Sequence, residues 1–227
     1  MFVVDYVADE RRRGGRVAQI DEYRGKGIVI RNSAKRCIHS RYCVLGRPDV
    51  FVPNVTGPWI KPDSVPPDTA AAQIALCPSG ALTYERIDGG AQEKPPGVNT
   101  VRVWENGPLA FNAELDVAGD KAAYRGTLCR CGHSKNKPYC DHSHSEAGFT
   151  ATGEPASKPT EPLAVRNGPL SVSPQKNGPL MVEGALEICA ASGRTIARET
   201  KTWLCRCGHS ANKPFCDSTH KKIGFVA

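Results

Sequence analysis

One ligand phrase is written twice in this chain, and few folds can accommodate it. Cys129-Arg-Cys131 leads through Pro138 to Cys140 and His144, and Cys205-Arg-Cys207 leads through Pro214 to Cys216 and His220. Both copies read C-R-C-G-H-S-x-N-K-P-[YF]-C-D-x-[ST]-H, so each supplies three thiolates and one imidazole, a donor set suited to soft or borderline metals. Alternate residues of an extended segment point to one side, and residues four apart on a helix share a face. Cys129 with Cys131, and Cys205 with Cys207, can therefore form one jaw of a site. Cys140 with His144, and Cys216 with His220, form the other. A fold carrying two such sites can be loop-rich and have a small apolar core, because metal binding contributes folding free energy.

The composition fits that picture. The 227 residues include 22 Gly and 18 Pro, and the apolar fraction of 40% suits a globular protein of one to three small domains with many turns and short strands. The formal charge of +7 is scattered, and the one basic run, Arg11-Arg12-Arg13, reads as a solvated arm. No interleaving of aromatic and basic residues supports nucleic-acid binding. The segment from Met1-Phe2-Val3-Val4-Asp5-Tyr6 reaches Asp9 and Glu10 before any apolar stretch long enough for a leader or membrane helix, so no membrane association and a cytoplasmic location are expected. Ten cysteines in a reducing compartment point to metal ligation rather than disulfides. Cys189, in the alternating run Ala185-Leu186-Glu187-Ile188-Cys189, reads as a buried strand residue.

A repeat surrounds the two phrases. Asn106-Gly107-Pro108-Leu109 precedes the first and Asn177-Gly178-Pro179-Leu180 the second, while Gly148-Phe149 and Gly224-Phe225 close the units. These marks bound units at about residues 98–151 and 163–227. Gly153 to Pro162, with three prolines, reads as the linker, and Asn167-Gly168-Pro169-Leu170 as a further turn without chemistry.

Residues 20–90 hold a third group: Cys37-Ile-His39-Ser40-Arg41-Tyr42-Cys43 and, far downstream, Cys77-Pro78-Ser79-Gly80-Ala81-Leu82. The pattern predicts a strand over Gly27 to Ile30 and a short helix over Asp68 to Leu76, started by Pro66-Pro67. A cysteine leaving a helix into proline is a familiar end to a ferredoxin cluster run, and a full four-iron run would place another cysteine at Ser40. Three thiolates suit a [3Fe-4S] cluster, or a [4Fe-4S] cluster with a non-cysteine fourth ligand such as His39.

Structural zinc usually separates paired ligands by two to four residues, whereas Cys129/Cys131 and Cys205/Cys207 are separated by one. The whole phrase resembles the CDGSH iron-sulfur domain, the mitoNEET-like family, whose motif reads C-x-C-x2-[ST]-x3-P-x-C-D-G-[ST]-H. Both copies match at the four ligands and at Ser134, Pro138, Asp141 and Ser210, Pro214, Asp217. The family's glycine is replaced by His142 in the first copy and Ser218 in the second, which bears on local turn geometry. Residues 20–90 resemble the divergent single-cluster ferredoxin domain sometimes joined to CDGSH units.

The resemblance implies two [2Fe-2S] clusters, with Cys129 and Cys131 on one iron and Cys140 and His144 on the other, repeated by Cys205, Cys207, Cys216 and His220. Replacing a thiolate by neutral imidazole raises potential, and a ligating imidazole with an ordinary pKa of about 6.5 can couple cluster chemistry to pH. Asp141 and Asp217 read as caps of the ensuing helix. His133 and His209 read as non-ligands, and Lys137 and Lys213 as surface lysines. No catalytic triad, nucleotide loop or carboxylate pair stands out.

The expected fold class is α+β: a small ferredoxin-like domain (20–90), then two tandem CDGSH units (98–151 and 163–227) forming an intramolecular, pseudo-dimeric, β-rich fold with short cluster-binding helices. The expected function is non-enzymatic electron or cluster transfer to a redox or cluster-acceptor protein, in a monomer. The alternative is a zinc-binding structural or interaction module.

Overall fold

The computed structural model describes residues 20–121 and 124–227, so the basic run Arg11-Arg12-Arg13 and the first residues lie outside the described part. The chain divides after Lys94 into two compact units.

In the first unit, strands β1 (Asp21–Arg24) and β2 (Ile28–Asn32) form a hairpin, followed by helices α1 (Tyr42–Gly46) and α2 (Pro67–Ala75) and strand β3 (Leu82–Arg86). The three strands pair antiparallel in the order β1-β2-β3. The expected strand and helix both form, each shifted by a residue or so. Pro67 occupies the first turn of α2, where a missing amide hydrogen costs nothing. Ile28, Ile30 and Leu82 of the sheet pack on Ala70 and Ile74 of α2, with Phe51 and Ile60 closing the core. Arg86, nearly buried at the end of β3, pairs with Asp68 in the first turn of α2 and with Asp88 at 2.7 Å. That contact fixes the helix whose far end delivers Cys77.

The second unit begins with β4 (Thr100–Val103), β5 (Leu109–Asn112), β6 (Glu114–Val117) and β7 (Arg125–Leu128), then helix α3 (Ser143–Glu146). Its later part has β8 (Pro169–Pro174), β9 (Leu180–Cys189), β10 (Thr195–Leu204) and helix α4 (Thr219–Lys222). The strands form one mixed sheet in the order β6-β8-β9-β4-β5-β7, with β10 pairing β9. Two parallel pairings join the early strands to the late ones: β4 beside β9 and β6 beside β8. Along β9, residues 180–183 pair with β8 and 187–189 with β4, both on the edge away from β10. Gly184 stands where one partner gives way to the other. Its φ is +122°, and a β-carbon there would lie 2.5 Å from the Pro169 carbonyl oxygen, so the handover requires glycine.

One apolar core serves both halves of this unit. Val101, Phe111 and Leu128 from the first half pack in the same cluster as Leu170, Leu180, Ile188 and Leu204 from the second. Cys189 is a buried residue at the end of β9, as its alternating context implies. The Gly153 to Pro162 segment has no regular structure but is not a loose tether. Lys158 donates its amide to the Ile196 carbonyl at 2.7 Å, Thr160 Oγ1 accepts from the Arg198 amide at 3.0 Å, and Glu154 accepts from the Ser192 amide at 2.7 Å. The segment is strapped along β10 and the turn before it. Among the described residues, no helix is long and apolar enough to cross a membrane.

Candidate metal centres

Each ligand phrase begins where a strand ends. Cys129 follows β7 and Cys205 follows β10, and in the extended stretch beyond, the two cysteines point one way and the arginine between them the other. The result is a Cys129 to Cys131 Sγ separation of 3.7 Å and a Cys205 to Cys207 separation of 3.8 Å. The second jaw differs in one respect from the sequence expectation: Cys140 and Cys216 precede α3 and α4 rather than lying on them. A left-handed residue between cysteine and helix, His142 (φ 73°) or Ser218 (φ 68°), turns the chain instead. It brings His144 Nδ1 to 3.5 Å from Cys140 Sγ and His220 Nδ1 to 3.4 Å from Cys216 Sγ. Phe149 and Phe225 then return their amides to the His144 and His220 carbonyls at 3.0 Å, closing each helix.

These separations fit the implied group. Two ligands on one tetrahedral metal, at about 2.3 Å to sulfur and about 2.0 Å to nitrogen, stand about 3.8 Å apart for two sulfurs and about 3.5 Å for sulfur and nitrogen. Among the described residues, no three Cys, His, Asp or Glu side chains cluster around a single ion position. Each site is two jaws, and each jaw is spaced for its own metal atom. Backbone amides add donors to the thiolates, from His133 to Cys131, His142 to Cys140 and Ser218 to Cys216, all at 3.4 Å. The hydrogen bond from Cys131 pulls Cys129 below the usual thiol pKa, against the opposing effect of burial. Burial holds the His144 imidazole below its ordinary pKa, aided by His142 and opposed by Asp141.

The supporting residues are alike in both copies. Asp141 accepts from the Lys135 amide at 2.8 Å and the Ser143 amide at 3.1 Å, and Asp217 from Ala211 at 2.8 Å and Thr219 at 3.0 Å. These aspartates clamp the turn to the helix start, which accounts for their place in the phrase. Lys137 and Lys213 are neither free in solvent nor aimed at the ligands: each donates Nζ to a carbonyl, of Ser134 or Ser210, at 2.6 Å. His133 and His209 are exposed, and His209 Nδ1 lies 2.8 Å from the Cys207 carbonyl oxygen.

Sequence reading passed over the arginines. Arg130 is 1% exposed and Arg206 4%. Arg130 donates to the carbonyls of Gly107, Thr152 and Trp104 at 3.0, 3.1 and 2.5 Å, and stacks 5.5 Å from the centre of the Phe149 ring. Arg206 donates to Gly178 and Gln175 at 2.9 and 2.6 Å, beneath Phe225 at 5.6 Å. The repeated Asn-Gly-Pro-Leu turn and Gly-Phe closure are thus the two ends of an arginine socket. The signal was there in the repeat, but its meaning depends on contacts more than twenty residues apart.

In the first unit, Cys37, Cys43 and Cys77 line one cavity of about 370 Å³ with His39, Ser40 and Ser79. Cys37 ends a short 3-10 turn, Cys43 lies on α1, and Cys77 follows the last turn of α2. Burial raises the pKa of Cys37 and of Cys43, and the charge of Cys77 adds to it. His39 Nδ1 stands 3.9 Å from Cys37 Sγ, and Ser79 Oγ 3.6 Å from Cys77 Sγ.

The model of the iron-binding zinc finger CDGSH type matches residues 106–145 and 177–221, and that of the divergent 4Fe-4S mono-cluster matches residues 23–86. The protein is therefore an iron-sulfur binding protein with a divergent 4Fe-4S mono-cluster domain followed by two CDGSH units. A comparison with curated proteins finds no match.

Proposed function

We propose that this chain is a non-enzymatic carrier with three iron-sulfur centres, passing electrons or whole clusters to an acceptor protein. The observation that carries the reading is the two-jaw spacing at Cys129/Cys131 with Cys140/His144, and at Cys205/Cys207 with Cys216/His220, which suits one [2Fe-2S] cluster per site. Three thiols and His39 on one cavity favour a four-iron cluster in the first unit, His39 being the candidate fourth ligand and [3Fe-4S] the form if no fourth ligand binds. Such clusters supply one-electron chemistry. The chain's contribution is to hold them with buried and half-buried cysteines, donate amides to the sulfurs and leave an imidazole at the less buried jaw, where a proton can compete with iron.

The shared core and the pairings of β4 with β9 and β6 with β8 support an intramolecular pseudo-dimer, so the chain works as a monomer. A ferredoxin-like role for the first unit, and a reducing compartment such as the cytoplasm, follow from the commitment of nine of the ten cysteines to ligand clusters.

Iron and acid-labile sulfide, measured on anaerobically purified protein together with electron paramagnetic resonance, test the reading. About eight irons per chain is the expected result, or about seven with a three-iron centre. Colourless protein with one zinc per site would replace it with the zinc-module reading.

A further inference from the structure

The two CDGSH sites touch through their ligands. Where the two Cys-Arg-Cys-Gly stretches pass each other, Cys131 and Cys207 pair as an isolated antiparallel bridge. The following glycines permit the approach. A β-carbon on Gly132 would stand 2.6 Å from the Cys207 carbonyl oxygen, and one on Gly208 would stand 2.4 Å from that of Cys131. Both glycines also have positive φ, 86° and 84°, so the turn and the crossing each require the residue without a side chain. Facing residues in an antiparallel bridge have α-carbons about 4.5–5.5 Å apart, which sets a thiolate ligand of one site one backbone contact from a thiolate ligand of the other.

Cys131 and Cys207 are each 4% exposed, so protein rather than water fills the space between the sites, and charge on one is weakly screened from the other.

We propose that the two CDGSH sites act as one coupled pair, in which charge at either site sets the electron affinity of the other through the Cys131–Cys207 contact. This rests on the reading that both sites hold [2Fe-2S] clusters. One added electron converts one ferric iron to ferrous, with no bond made or broken. The negative charge it leaves lowers the electron affinity of the neighbouring site, and the effect is reciprocal.

The test is graded reduction of the full chain with dithionite, followed by electron paramagnetic resonance at a temperature where four-iron signals have broadened away. At a small fraction of full reduction most reduced chains carry one electron, and an unsplit signal is expected. At full reduction, neighbouring spins should split or broaden it. Cys216→Ala, which removes a ligand of the second site, should leave the first-site signal unsplit throughout, and the first site should reduce at a higher potential than the second electron does in the unaltered chain. A two-iron signal whose total spin grows along a single one-electron Nernst curve, on protein with two-iron clusters verified by iron and sulfide analysis, would overturn the coupling alone. This arm needs no variant to fold. Absence of two-iron clusters from the same analysis would overturn the coupling and the carrier reading together.

Discussion

Arg130 Nε donates to the Gly107 carbonyl at 3.0 Å, and Arg206 repeats the bond to Gly178 at 2.9 Å. Each arginine is enclosed between a turn that opens its unit and a phenylalanine that closes it. Removing the guanidinium leaves several carbonyls unpaired in a dry site, and an unsatisfied buried polar group costs about 1–3 kcal/mol. Arg130→Met is expected to destabilise the second unit by about 3 kcal/mol in urea unfolding and to lower iron retention at Cys129 and Cys131 first. Arg130→Lys should recover the charge but little of the stability, because an ammonium cannot reproduce the planar fork.

The left-handed turns make a second prediction, because the family motif has glycine where His142 and Ser218 adopt φ of 73° and 68°. A residue with a β-carbon costs about 1–2 kcal/mol in that conformation, offset by about 0.5–1 kcal/mol of extra chain entropy that glycine loses on folding. Ser218→Gly should therefore raise stability by about 0.5–1 kcal/mol, read as a higher urea midpoint. His142→Gly should gain less, since His142 also contacts Ser145 Oγ at 3.1 Å and meets the His144 ring edge-on at 4.8 Å. A larger gain at 142 than at 218 would contradict this account of the turn.

The sequence revealed ligand identity more readily than ligand support. Cys129, Cys131, Cys140 and His144 could be paired because their spacing is local, and local spacing survives almost any fold. The reason given for the second jaw was incomplete: Cys140 is not on the helix, and His142 makes the turn that a continuous helix was expected to supply. Arg130 was passed over because its partners, Gly107 and Thr152, are joined to it only by the folded sheet. The closeness of Gly132 to Cys207 was illegible for the same reason. A glycine after a cysteine reads as a turn until the other copy is in place.

Acid should release the CDGSH clusters, with a threshold set by the ligand imidazoles. The metal-bound imidazole carries no proton at Nδ1 and the free one does below its pKa, so affinity is full above that pKa and falls as pH drops through it, by up to about 1.4 kcal/mol per pH unit. Burial lowers the His144 pKa, which places the onset for the first site below the ordinary value of about 6.5. His144→Cys should keep iron, lower the potential and slow bleaching, because a fourth thiolate adds negative charge and the imidazole is gone. Visible absorbance followed after pH jumps measures this. An unchanged pH response in the double variant His144→Cys/His220→Cys would assign the lability to another group.

The first unit gives the last prediction. Cys77 is delivered by α2, and α2 is fixed to β3 by the Asp68–Arg86 pair, so the third thiol depends on a contact well away from the cavity. Cys77→Ala should remove the N-terminal cluster, taking iron from about eight to about four per chain, while two-iron signals persist because the second unit has its own core. Arg86→Ala leaves all three thiols in place but frees the start of α2. It should lower N-terminal iron occupancy and raise its loss rate to a chelator, without changing the two-iron spectrum. Full retention of N-terminal iron in Arg86→Ala would show that the thiols hold the cluster without the helix anchor. Loss of two-iron signal in Cys77→Ala would show that the second unit needs the first to hold its clusters.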